Sequence, residues 1–216
     1  MKNYFFILSL IIFASFLYSG PLELAFFLGM ADGSGASDGV TVQFFVEKSG
    51  QSTKVFEQHW SQQVWSQEFI VNLDAWVGQD FVVNITTSPG PSRSTHYDWI
   101  IIGDAKVRKD SQLVYSFANA ISTGQFTGSY TLDSTGQTYS GYQYGANCVI
   151  QNTTVGGITK VNSFMQHPPW QNGNVGNTIS RYNVQTSHIP ETSTMIMLVL
   201  GLGMVMLNSK KFLLLP

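Results

Sequence analysis

The sequence has few of the residues on which several common protein classes depend. Cys148 is the only cysteine among 216 residues, so no disulfide can form within the chain and stability must come from core packing. Charged residues make up only 11% of the chain and the net charge is −2, which argues against a broad electrostatic surface for nucleic acid. No two of the four histidines lie one helical turn apart, so a helical zinc site is not expected.

Short alternating segments predict an all-β fold instead. A period of two gives a strand one apolar face, and turn residues rich in Gly, Asp, Ser and Pro separate the segments. This pattern predicts a sandwich or jelly roll of two antiparallel sheets, and 44% apolar residues are enough for one core. Apolar residues take every second position in Leu22 to Leu28, Val42 to Val46, Phe69 to Leu73 and Phe81 to Ile85.

The N-terminus has the pattern of a secretory signal peptide over residues 1–20. Lys2 precedes an apolar run that continues to Phe13, and smaller residues follow. This order predicts export with cleavage near Ser19 or Gly20. An uncleaved membrane anchor is the alternative.

The C-terminus has a second apolar run. A linker over residues 186–191 ends in Pro190 and Glu191, and the residues from Thr192 to Ser209 carry no charge. As a helix that run would span roughly 27 Å, enough for a bilayer core. Lys210 and Lys211 follow, so residues 192–211 predict a transmembrane segment with a basic, cytoplasmic end. Residues 212–216 form a short tail.

This tail resembles the PEP-CTERM sorting signal, in which a Pro-Glu-Pro-like motif, a short membrane segment and a basic end follow one another. The resemblance implies a partner, an exosortase-like enzyme that processes the chain near Pro190, Glu191 and Thr192. It also implies delivery to the envelope, surface or extracellular matrix of a Gram-negative bacterium. Thr192 replaces the usual second proline, and the basic pair is lysine. An ordinary single-pass anchor is the alternative.

The segment before residue 110 resembles a second family. Ser37-Asp38-Gly39-Val40 opens a strand, Trp65 precedes the next one, Pro89-Gly90-Pro91 forms a turn, and Asp98-Trp99 leads into an isoleucine run. These features are similar to galactose-binding-like jelly rolls, in particular the carbohydrate-binding modules found beside some glycoside hydrolases. The resemblance implies a polysaccharide or glycan partner. It also implies a structural calcium ion, for which Asp32 and Asp38 are the candidate ligands.

Strands that normally open this family are missing before Leu22, and segments between residues 156 and 184 resemble them. We therefore expect a domain over residues 21–185, in which residues 21–110 and 111–185 complete one sandwich. Either the jelly roll is circularly permuted, or the chain holds two partial copies. Phe164 and Trp170 are expected in or beside the core formed by Phe26, Phe44 and Phe81.

Two intervening segments have simpler predictions. Leu113 to Phe117 is predicted to be a strand. Tyr139 to Gly145 is predicted to be a loop that carries aromatic side chains.

Loop residues at a sandwich end are the best candidates for a ligand site. Sugar rings lie with their C–H faces against aromatic rings while polar groups bind the hydroxyls. The predicted function is an exported, non-catalytic, carbohydrate-binding surface or matrix protein. The alternative is a structural or adhesive protein with no specific sugar ligand. The candidate ligand-binding residues are His59, Trp60, Arg93, His96 and Trp99.

An enzyme is not expected. Gly35 to Gly39 matches the G-x-S-x-G pattern, but that motif requires a helix after the serine, and here an alternating strand follows. Carboxylates that could pair for glycoside hydrolysis fall at turns or outward strand positions. A hydrolase is therefore the weakest of the three functional hypotheses.

Overall fold

The computed structural model describes residues 20–141, 149–171 and 174–187. Residues 1–19 of the predicted signal peptide, the sorting motif and the C-terminal membrane segment lie outside these ranges. No helix within them is long and apolar enough to cross a membrane.

The described residues form two antiparallel sheets, as the all-β prediction requires. In the first sheet the strand order is β10-β11-β6-β1-β4, and β7 pairs with the second half of β6. The strands of this sheet are β1 (Leu22–Met30), β4 (Phe69–Asn72), β6 (Ile100–Lys109), β7 (Gln112–Ser116), β10 (Gln151–Val155) and β11 (Ile158–Met165).

The second sheet packs against the first. Its order is β3-β2-β5-β13-β8-β9, and β12 pairs with β13. A short 3-10 helix, Asp74–Trp76, lies between β4 and β5, and helix α1, Phe117–Ser122, follows β7. The strands of this sheet are β2 (Val40–Lys48), β3 (Gln51–Trp60), β5 (Phe81–Pro89), β8 (Phe126–Leu132), β9 (Thr138–Ser140), β12 (Trp170–Gln171) and β13 (Asn174–Val184).

The predicted alternation places the core between the sheets. Leu22, Leu24, Phe26 and Leu28 of β1 are fully buried, and the rings of Phe26 and Phe44 stack with centroids 4.3 Å apart. Burying each large apolar side chain contributes about 1.5–3 kcal/mol, so this contact joins the two sheets strongly.

Residues after 150 contribute strands to both sheets. β11 pairs with β6 through Phe164 and Met165, and β13 lies between β5 and β8. Phe164 is fully buried in the main core, as predicted. The side chain of Trp170 lies outside the described part of the structure.

Two local predictions need correction. The strand predicted to reach Phe117 ends at Ser116, whose hydroxyl accepts a hydrogen bond from the Asn119 amide and caps α1. The loop predicted from Tyr139 begins inside β9, because Tyr139 stacks on Tyr130 with centroids 4.9 Å apart across the β8–β9 pair. Residues 142–148 of that predicted loop lie outside the described ranges.

Candidate functional site

Three connections meet at one end of the sandwich, here called the loop end. They are residues 31–39, 61–68 and 90–99, which join β1 to β2, β3 to β4, and β5 to β6. Backbone hydrogen bonds tie them together, since the amide of Ala31 donates to Trp99 O at 3.0 Å and that of Met30 to Gln62 O at 3.3 Å. These hydrogen bonds join the three connections of the loop end into one surface.

Asp98 anchors the 90–99 loop. Its side chain is fully buried, and one carboxyl oxygen accepts a hydrogen bond from the Ser37 hydroxyl at 2.5 Å. Ser37 in turn accepts from the Gly39 amide at 2.9 Å. Asp98 therefore holds the 90–99 loop against the neighbouring 31–39 loop.

The carboxyl groups of Asp98 and the neighbouring Asp38 have pKa values that are shifted in opposite directions. Burial raises the pKa of Asp98 to about 7; the Ser37 hydrogen bond opposes the rise and the Asp38 charge adds to it. Burial also tends to raise the pKa of Asp38, but hydrogen bonds from Ser92 outweigh it and leave that pKa below its usual value. The environment thus keeps Asp38 ionised while Asp98 retains its proton into the neutral range.

This arrangement predicts a pH-dependent stability that Asp98→Asn removes. A raised folded-state pKa gives a contribution that is fully present below the unfolded pKa of 3.8 and is lost as pH rises through about 7. Relative to Asp98→Asn, the wild type should lose on the order of 3 kcal/mol of unfolding free energy between pH 4 and pH 8. Urea unfolding at both pH values measures this difference.

The comparison with the variant matters because Glu47 has a lowered pKa, held there by Arg181 and Asn84, and changes stability in the opposite direction. Parallel pH profiles for the wild type and Asp98→Asn would contradict the prediction.

The five predicted ligand residues have different environments. Trp60 is half-buried. Its Nε1 donates to Gln62 O at 3.0 Å, and its ring packs edge-on against Phe69 with centroids 6.4 Å apart, so Trp60 lies at the edge of the core.

The other predicted polar ligand residues lie on β3 and on the 90–99 loop. The His59 Nε2 lies 2.9 Å from Asp38 O, which ties β3 to the 31–39 loop. Arg93 is exposed and pairs with Asp133. His96 is exposed on the same loop as Arg93.

Of the two tryptophans among the predicted ligand residues, Trp99 has the more exposed ring. Its side chain is 36% exposed, and the neighbouring Tyr97 is 45% exposed. The two rings meet edge to face, with centroids 5.6 Å apart. Sequence reasoning missed Tyr97, because only the backbone turn brings its ring beside Trp99. Tyr97 has a φ of 62°, a conformation that costs a non-glycine residue free energy.

The candidate calcium ligands contact different segments of the chain. Asp32 Oδ1 accepts from the Gly156 amide at 3.1 Å, and Asp38 Oδ2 accepts from the Ser92 amide at 2.7 Å. Calcium takes six to eight oxygen ligands. No group of three or more His, Cys, Asp or Glu side chains that could hold a metal occurs among the described residues. Each carboxylate thus holds its loop against a neighbouring segment through a backbone amide.

Comparisons with protein-family models, curated proteins and solved structures find no match for this chain.

Proposed function

We propose that this chain is an exported, non-catalytic protein that binds carbohydrate at the loop end. The observation that carries the proposal is the exposed Tyr97–Trp99 ring pair on a loop anchored by the buried Asp98. Two exposed rings on a rigid support suit the apolar faces of sugars, and exposed polar groups on the same loop can bind hydroxyls. Because Asp98 is fully buried, its role in this proposal is to position the loop.

Within the β-sandwich class, the proposed fold is a galactose-binding-like jelly roll that is circularly permuted. Permutation requires that the ends of the domain lie close together. The Leu22 amide donates to Asp74 Oδ1 at 2.7 Å, while the Thr186 hydroxyl donates to Gln79 O at 2.5 Å. Both ends therefore contact the single segment between β4 and β5, which supports a permuted order over two partial copies.

The position of the C-terminal end of the domain also supports a particular orientation of the domain relative to the membrane. The Thr186 amide bonds to Asp80, directly before β5, and β5 then runs its nine residues to the loop end. A strand of that length spans about 30 Å. A PEP-CTERM tail after Thr186, handled by an exosortase-like enzyme, would leave from the end opposite Trp99. The ring pair would then face away from the membrane of a Gram-negative cell.

Trp99→Ala tests the binding proposal. Losing one stacked ring removes about 1.4 kcal/mol of binding free energy, which weakens affinity about tenfold. The measurement is titration of the purified full-length protein against immobilised polysaccharides, starting from a glycan array. Leu113→Ala is the matched control, since Leu113 is a 64% exposed apolar residue on β7.

Equal losses in both variants, or no binding to any glycan by the folded protein, would contradict the proposal. The second outcome would favour a structural or adhesive protein. That alternative is supported by exposed aliphatic side chains on the β10–β11 hairpin, where Ile158 is 57% and Val161 52% exposed. Its test is self-association that is lost in Ile158→Ser.

A further inference from the structure

Strand β10 forms one edge of the first sheet. It pairs with β11, and within the described ranges no second strand lies beside it. The strand runs from Gln151 to Val155 and contains no charged residue and no proline. Gln151, Asn152 and Thr154 are exposed. The backbone N–H and C=O groups along such an edge can pair with another strand. We call the side of β10 that faces away from β11 the β10 edge.

The other sheet edges in the part of the chain that the structure describes carry features that hinder such pairing. β4, β9 and β12 are very short. β3 carries Lys54 and Glu57, and its pairing with β2 skips Val55, which marks a bulge. The pairing of β7 with β6 skips Val114 in the same way. Short length, charges and bulges protect edges from other chains. β10 has five residues, an ordinary strand length, and the extra residue in its hairpin lies on β11.

The geometry of the β10–β11 hairpin shows which backbone groups point to the β10 edge. The turn Gly156–Gly157 has φ values of 55° and 79°, as in a two-residue type I′ turn. Such a turn makes the two flanking residues a hydrogen-bonded pair, so the next pair, Thr154 and Thr159, is not hydrogen-bonded. The hydroxyls of that pair lie 2.7 Å apart, which fits the closer side chains of this pair type. Thr154, and Asn152 two residues before it, therefore direct their N–H and C=O groups to the β10 edge.

The β10 edge is complementary to itself. When two such strands run antiparallel about a two-fold axis at Thr153, Asn152 of each copy lies opposite Thr154 of the other, and both residues direct backbone groups to the shared edge. The same register brings Val149 near Ile158 of the second copy. These two side chains are 52% and 57% exposed, so pairing removes apolar surface from water. Hydrogen bonding and apolar contact thus favour the same register.

We propose that two copies of this chain form a closed dimer by pairing their β10 edges, so that the first sheet continues from one copy into the other. The contact uses the same surface of both copies, so association stops at two. The dimer goes beyond the proposed function, because no residue of the loop end takes part in it. Association beyond two copies would instead support the structural or adhesive alternative.

Disulfide trapping in the full-length protein tests the register, in a Cys148→Ser background that removes the native thiol. Thr153 faces its own copy across the axis, and Cα atoms in such a non-hydrogen-bonded pair are about 4.5 Å apart, a separation that a disulfide spans. Thr153→Cys is therefore expected to form a covalent dimer under mild oxidation. Thr159→Cys is the matched control, since Thr159 is exposed on β11 away from the β10 edge, and it should stay monomeric.

Sedimentation velocity of the full-length protein in detergent measures the dissociation constant. Asn152→Lys brings charge to the β10 edge and should weaken the dimer about tenfold, while the melting temperature stays unchanged because the side chain is exposed. Adding Thr154→Glu to this variant places opposite charges across the axis and should restore the affinity. Adding Thr154→Lys should weaken the dimer further. Gln112→Lys, on the exposed part of β7, should have no effect.

Three results would overturn the dimer. They are a monomer at every concentration, a dimer that Asn152→Lys leaves intact, and equal trapping of the Thr153 and Thr159 variants. Glycan binding is measured in the same series. Trp99→Ala should leave the dimer unchanged, and Asn152→Lys should leave the affinity for a short soluble oligosaccharide unchanged, so failure of the dimer and failure of glycan binding are separate results.

Discussion

Replacing Gln166 by leucine is expected to lower the free energy of unfolding by about 3–5 kcal/mol. The side chain is fully buried. Its Nε2 donates to Ile85 O at 2.8 Å and to Thr178 O at 3.2 Å. Its Oε1 accepts from the Ser180 hydroxyl at 2.6 Å. Leucine would leave a buried hydroxyl and two carbonyls without these bonds, and urea unfolding followed by tryptophan fluorescence measures the loss.

A second residue shows whether the lost bonds are the cause. Ser180→Ala should cost clearly more in the wild type than in Gln166→Leu, since removing both partners of a buried bond is far less costly than removing one. Gln112→Leu, on an exposed position of β7, is the control and should change stability by less than about 0.5 kcal/mol. Additive effects of the Gln166 and Ser180 changes would contradict this explanation.

Gln166 also explains how the late part of the chain joins the early part. Its backbone amide donates to Ile100 O in the first sheet at 3.2 Å, while its side chain forms hydrogen bonds with β5 and β13 in the second sheet. One residue from the segment after 150 thus connects both sheets. The same segment includes Pro168 and Pro169, which are buried rather than in solvent.

The sequence predicts the first half of the sandwich well because its core is apolar. In β1 and β2, and in β5 from Phe81 to Ile85, the inward positions are apolar, so a period of two identifies both the strand and its buried face. Strand β13 differs, since its inward positions include Thr178 and Ser180, both fully buried. Polar residues there are stable because Gln166 and His167 O supply hydrogen bonds. The alternation of apolar and polar residues therefore does not predict such a strand.

The candidate site was less predictable than the fold. Residue type alone points to the candidate loop residues, yet tertiary contacts decide which of them remain exposed. Trp60 packs against Phe69 at the core margin, whereas Trp99 stays partly exposed beside Tyr97.

A second small core lies on the outer face of the first sheet, and the alternation of apolar residues does not predict it. Trp65, from the connection between β3 and β4, packs there with Ile101 and Val155. Its Nε1 donates to Ile158 O at 2.8 Å. The sequence feature that corresponds to this packing is the pair Gly29 and Gly103, which lie under the Trp65 ring on neighbouring strands of the sheet.

Trp65→Ala is therefore expected to lower the free energy of unfolding by about 3–5 kcal/mol, because a large buried ring and its hydrogen bond are lost. A β-carbon at Gly103 would lie 2.9 Å from Cζ3 of Trp65. Gly103→Ala should consequently destabilise the wild type by about 1–3 kcal/mol through overpacking. Without the Trp65 ring the same change should be neutral or stabilising, since alanine restricts the unfolded chain more than glycine does. Urea unfolding of the two single variants and the double variant measures this reversal of sign. An equal cost of Gly103→Ala in both backgrounds would show that the ring does not pack against the sheet at this position.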